Sequence, residues 1–208
     1  MEISTSILSI RENRIENIKK IGNTSSNYIH LDVMDGVFVP NKVDFLEEKE
    51  VLLETEKLLD IHLMVDNVES YVEKYKSFNP MYITFHLEVE KDIKDLINKI
   101  KKICKVGISI KPNTDIEDLM PFLDMLDLVL IMSVEPGKGG QTFINDSIEK
   151  LEKLYEMREK NNYKFKIQLD GGINAENIKK ISKCDIAVVG SYITSSTDYE
   201  KQIRNLII

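Results

Sequence analysis

The chain has 208 residues, of which 42% are apolar and 30% charged, with a formal charge of −7. That is enough apolar material for one core in a single domain spanning 1–208, and the evenly spread charge argues against disorder. The acidic balance, with no basic arm or stripe, argues against nucleic acid as a partner.

No apolar run approaches the ~18 residues that cross a bilayer, so no membrane partner is expected. The start, MEISTSILSIREN, lacks a basic leader followed by an apolar stretch, and a cytoplasmic protein is the expectation. Cys104 and Cys184 stand isolated and read as reduced, part-buried thiols, with a disulfide as the alternative.

Short β-branched runs recur along the whole chain. Strands are predicted at 2–8, 28–34, 60–65, 82–88, 105–111, 128–134, 164–170 and 186–190. Helical spacing lies between them, as in DIKDLINKIKKI and IEKLEKLYEMREK. Thr114-Asp115 and Asn174 read as helix starts, with Pro121 interrupting the first of these helices.

Eight strands alternating with helices, with no linker, predict an α/β fold. Side chains suited to chemistry follow many different strands rather than one dominant Gly-rich loop. That distribution predicts a (β/α)₈ barrel, whose site is assembled from several strand ends.

Those ends carry a distinctive set. In IHLDVMDG, strand alternation puts His30 and Asp32 on one face, and Asp35-Gly36 starts a turn directly afterwards. His62 and Met64 share a face in the third strand, His86 and Glu88 follow in the fourth, and Asp170 ends the seventh. His30, Asp32, His62 and Asp170 make a mixed nitrogen and oxygen set suited to Zn²⁺, Fe²⁺, Mn²⁺ or Co²⁺. Glycines after the sixth, seventh and eighth strands let backbone N–H groups approach an anion, which points to a phosphorylated small molecule. His86 reads as a packing or hydrogen-bonding residue beside Glu88, and Asp35 as a turn former.

The segments SILS, IHLDVMDGVFVPN, HLMV, TFHLE, MSVEPGKGGQTF, LDGGIN and GS, in this order from Ser6 to Ser191, resemble the ribulose-phosphate 3-epimerase family. The resemblance implies a (β/α)₈ barrel that interconverts D-ribulose 5-phosphate and D-xylulose 5-phosphate in the pentose phosphate pathway, and a homo-oligomer. It implies one divalent metal ion per subunit, most simply Zn²⁺, on His30, Asp32, His62 and Asp170. Asp32 and Asp170 match the two acid/base residues, and Ser6 and His62 match substrate-side partners. Met34, Met64 and Met132 match the methionines around the reacting carbons. Gly139, Gly140, Gly171, Gly172, Gly190 and Ser191 match the phosphate-side loops.

The implied chemistry is proton transfer at C3 through an enediolate, which a Lewis acid stabilises. Inversion needs one proton carrier on each face, hence two Asp residues. Thioethers neither donate nor take up protons there, so the methionines can crowd the intermediate without quenching it.

Two stretches depart from the family. Lys138 stands where an aromatic is common, and is read either as a cation for the phosphate or as a solvent-facing side chain. KVDFLEEKEVLLE replaces a Gly-containing continuation. Three rival readings are a six-carbon ketose-phosphate epimerase, a barrel decarboxylase with Asp-x-Lys-x-x-Asp, and a non-catalytic phosphosugar binder. Asp32-Val33-Met34-Asp35 has no Lys, which counts against the second.

Overall fold

A computed structural model describes residues 1–89 and 92–207. Its strands are β1 (Glu2–Ser6), β2 (Tyr28–Asp35), β3 (Lys42–Val43), β4 (Leu58–Met64), β5 (Tyr82–His86), β6 (Lys105–Ile110), β7 (Leu128–Met132), β8 (Lys166–Asp170) and β9 (Ile186–Val189). Its helices are α1 (Arg14–Gly22), α2 (Lys49–Glu54), α3 (Val68–Tyr75), α4 (Ile93–Ile100), α5 (Asp146–Asn161), α6 (Ser191–Thr194) and α7 (Tyr199–Leu206). The order β1-β9-β8-β7-β6-β5-β4-β2 closes through a β1–β2 pairing into an eight-stranded parallel barrel. The predicted strands are all found. The short β3, which pairs antiparallel with β2, was not anticipated; two residues carry too little periodicity to read.

Alternation decides which side chains face which layer. In β2, Ile29, Leu31 and Val33 join the main core under the helices, so Tyr28, His30, Asp32 and Met34 turn to the barrel axis. The helices meet that outer layer with their own apolar stripes. In α4, Leu96, Ile97 and Ile100 are buried, and the Asp92 side chain caps the helix by accepting from Asp95 N. Truncating one such buried Leu or Ile to Ala would cost about 2–5 kcal/mol. Tyr28, Tyr82, Leu128 and Ile186 plug the amino-terminal end of the barrel.

Two expected helices take another form. After Asp115 the chain makes short 3₁₀ turns at Ile116–Leu119 and Leu123–Met125, and the Asp115 side chain caps neither. Pro121 lies between them and has no N–H to continue a helix. After Asn174 the helix is again a 3₁₀ turn, Ile178–Ile181. Asn174 Oδ1 does accept from Glu176 N and Asn177 N, so the predicted turn chemistry is present but starts only a short element. These short crossovers let a small chain close the barrel.

Cys104 and Cys184 are free thiols, and burial pushes both up to about 12. No helix among the described residues is long and apolar enough to cross a membrane.

Candidate active site

The site lies at the carboxyl ends of the barrel strands. Parallel register sets Asp32 beside His62, His30 beside Asp60 and Met132 beside Asp170. One donor atom from each of His30, Asp32, His62 and Asp170 falls within 4.8 Å of the others. His30 Nε2 and His62 Nδ1 each lie 3.4 Å from Asp32 Oδ1 and 3.9 Å from Asp170 Oδ2. A tetrahedral ion with ~2.0–2.2 Å bonds separates its donors by roughly 3.4 Å, so this spacing fits one ion.

The hydrogen bonding agrees. His30 Nε2 and His62 Nδ1 are buried, and neither has a hydrogen-bond partner among the described residues. Leaving two such groups unpaired is costly unless a cation takes their lone pairs. The set can therefore hold one metal ion.

The electrostatics favour positive charge at the same point. Burial opposes a charge on His30, but Asp60 and then Asp32 raise its pKa well above the ordinary value. Burial lowers that of His62, with Asp32 opposing. The two carboxyls separate. Burial works against ionisation of Asp32, yet His30 and then His62 hold it well below the carboxylate range. Asp170 is pushed up to about 7 by burial and then by the charge on Asp32. Asp170 therefore holds a proton more readily than Asp32 does.

A second layer holds these residues in place. Asp60 Oδ2 accepts from Ser4 Oγ at 2.8 Å and Gln168 Nε2 at 2.6 Å, and lies 2.8 Å from His30 Nδ1. Ser6 Oγ donates to Asp32 Oδ2 at 2.7 Å. His86 Nε2 lies 2.9 Å from His62 Nε2, and His86 Nδ1 3.1 Å from Glu88 Oε2, so His86 does bond beside Glu88. Asp35 is the turn former expected: its carboxylate accepts from the N–H groups of Val37, Phe38 and Asp66.

Asp60, Ser4 and Gln168 escaped the sequence reading. The signal was available, because Asp60 and His62 are two residues apart in one strand and so share the inward face.

A cavity above the cluster is lined by Ser6, Asp32, Met34, Met64, Met132 and Asp170, and by Gly139, Gly140, Gly171, Gly172, Gly190 and Ser191. All three methionines are buried. Gly171 and Gly172 have positive φ, and a Cβ on Gly172 would come within 2.5 Å of Phe143 N. Only glycine lets these two loops touch. Lys138 is exposed and lines the same cavity, and its loop is pinned by Asn41 Nδ2 donating to Gly137 O.

The sequence matches the ribulose-phosphate 3 epimerase family over residues 2–194. A ribulose-phosphate 3-epimerase of Methanocaldococcus jannaschii is 37% identical over 99% of this chain and 89% of its own length. One from Helicobacter pylori is 35% identical over 99% and 96%. The fold is similar to that of 3-hexulose-6-phosphate synthase from Salmonella typhimurium, with a TM-score of 0.73 at 16% identity over 99% of this chain and 96% of that one. The chain therefore belongs to the ribulose-phosphate 3-epimerase family and is an epimerase of the isomerase class.

Proposed function

We propose that this chain interconverts D-ribulose 5-phosphate and D-xylulose 5-phosphate, one of Asp32 and Asp170 removing the C3 proton and the other delivering a new proton to the opposite face. His30 Nε2, Asp32 Oδ1, His62 Nδ1 and Asp170 Oδ2 would hold one divalent metal ion, Zn²⁺ being the simplest choice for a nitrogen and oxygen set. The observation that carries the reading is the pair of buried ring nitrogens, without a hydrogen-bond partner among the described residues, that face the carboxyls of Asp32 and Asp170. Such an ion, when bound, supplies positive charge that stabilises the enediolate.

The remaining steps belong to the chain's own groups. Asp32 and Asp170 come from strands separated by β1 and β9, so each can address a different face of the sugar. One, ionised, removes the C3 proton, and the other, protonated, delivers a proton to the opposite face; the roles exchange in the reverse direction. Ser6 orients Asp32 through its second oxygen. Met34, Met64 and Met132 exclude water without offering protons. Gly171, Gly172, Gly190 and Ser191 receive the phosphate, with Gly139 and Gly140 closing from the neighbouring loop.

The test is turnover of five-carbon and six-carbon ketose phosphates before chelation, after it, and after adding back each of Zn²⁺, Fe²⁺, Mn²⁺ and Co²⁺. The reading expects loss on chelation, recovery with metal, and preference for the pentulose. Full activity in a verified metal-free protein would contradict the metal assignment, and preference for the hexulose would contradict the substrate.

A further inference from the structure

We propose that His86 and Glu88 are positioning residues that fix His62 as its Nε2–H tautomer, turning the Nδ1 lone pair into the site, and that Thr114 and Lys150 anchor the far end of this chain. The proposal rests on the metal-site reading above.

The direction of the chain follows from its donors. Glu88 Oε1 accepts from Lys111 N at 2.8 Å and from the Thr114 hydroxyl, while Oε2 faces His86 Nδ1 at 3.1 Å. Oε1 alone therefore takes two donors, which favours Glu88 as an ionised acceptor. His86 must then carry its proton on Nδ1. A neutral His86 has its lone pair on Nε2, so the 2.9 Å contact requires His62 to donate from its own Nε2. His62 is left with a lone pair on Nδ1, aimed at Asp32 and Asp170. Reversing the chain would set a His86 lone pair against the Glu88 carboxylate. Glu88 is held down to about 2: burial opposes this, but His86, the Lys111 N–H and Thr114 outweigh it.

The anchor is equally specific. Lys150, on α5, donates from Nζ to the carbonyls of Lys111 at 3.3 Å, Pro112 at 2.6 Å and Thr114 at 2.5 Å. It fixes the loop that presents both donors to Glu88. The Phe38 ring packs on His86 at 4.8 Å between centroids. A continuous path therefore runs from α5 through the loop after β6 to a proposed metal ligand on β4. Outer partners of this kind typically alter metal affinity by about 10–100-fold.

Zn²⁺ affinity of the full chain, measured by competition with a chromophoric chelator, tests the proposal. Co²⁺ absorption spectra report ligand geometry, and thermal melts report folding. His86→Leu removes the acceptor for His62 and is expected to weaken Zn²⁺ binding about 10–100-fold and alter the Co²⁺ bands. His86→Gln offers a side-chain oxygen as acceptor and is expected to restore most of the affinity. Thr114→Val, remote from the proposed ligands, is expected to weaken binding about 2- to 10-fold, the worth of one hydrogen bond.

A folded His86→Leu protein with wild-type affinity and spectrum would overturn the relay and leave the metal reading standing. Equal loss in His86→Leu and His86→Gln would also overturn it. If His86→Leu does not fold, unchanged Zn²⁺ affinity in Thr114→Val decides against the proposal. A wild-type chain that binds no Zn²⁺ overturns both readings.

Discussion

Asp60 Oδ2 lies 2.8 Å from His30 Nδ1, beneath the site and sealed inside the barrel. The same oxygen takes hydrogen bonds from Ser4 and Gln168, so Asp60 collects three donors on one atom. It fixes the His30 ring with Nε2 toward the mouth, as Glu88 and His86 do for His62 from the other side. Asp60→Ala would leave three buried donors without their acceptor. The expected cost is roughly 3–5 kcal/mol of stability, the range for breaking a buried pair, together with about 10–100-fold weaker metal binding. Urea unfolding and chelator competition measure the two effects. Unchanged metal affinity in a folded Asp60→Ala protein would contradict this role.

Gly172 permits two loops to touch where any side chain would collide. Its φ is +65°, and an added Cβ would meet Gln141 O at 2.8 Å as well as Phe143 N. Gly172→Ala is expected to raise KM for the phosphosugar at least tenfold and to cost about 1–3 kcal/mol from backbone strain alone. Steady-state kinetics and thermal unfolding test this. A variant with unchanged KM would show that this turn does not shape the phosphate pocket.

Lys138 is exposed at the rim of the same pocket, where its amino group can meet an anion. Lys138→Ala is expected to raise KM about three- to tenfold at low salt, with little effect on kcat and a smaller difference at high salt, because screening weakens an exposed charge. If KM and its salt dependence both match the wild type, Lys138 faces only solvent.

Glu88 makes stability depend on pH in acid. Its ordinary pKa is 4.5 and its folded value about 2, so the unfolded chain binds its proton first. The contribution is fully present above pH 4.5 and is lost as pH falls through about 2. The magnitude is on the order of 3 kcal/mol. His86, lowered to about 4 chiefly by burial, adds a loss of the same sign between pH 6.5 and 4. Chemical unfolding across pH 2–7 is expected to show a flatter stability curve below pH 4.5 for Glu88→Gln than for the wild type. Parallel curves would contradict the assigned Glu88 environment.

Much of this was legible in the residues themselves. Period-two runs located all eight barrel strands, because strands buried between helices and axis are nearly all β-branched or aliphatic on their outer faces. The inward positions were legible for the same reason: His30 and Asp32 could only share a face. The crossovers were harder to read. Asp115 and Asn174 have helix-start chemistry, yet Pro121 and the shortness of the connections reduce those segments to 3₁₀ turns. The outer layer was harder still. Asp60 and Gln168 meet across the barrel axis, 108 residues apart in sequence, and only the closed fold shows that they share a bond.

In the proposed reaction Asp32 and Asp170 carry protons on opposite faces of C3. The most direct measurement follows solvent deuterium into C3 of D-ribulose 5-phosphate in D₂O, with epimerisation monitored in the same samples. The wild type is expected to place one deuterium at C3 of the D-xylulose 5-phosphate formed. Asp32→Asn and Asp170→Asn are each expected to slow epimerisation by roughly 10²–10⁴-fold. Epimerisation without solvent deuterium at C3, or full turnover in either variant, would contradict the account.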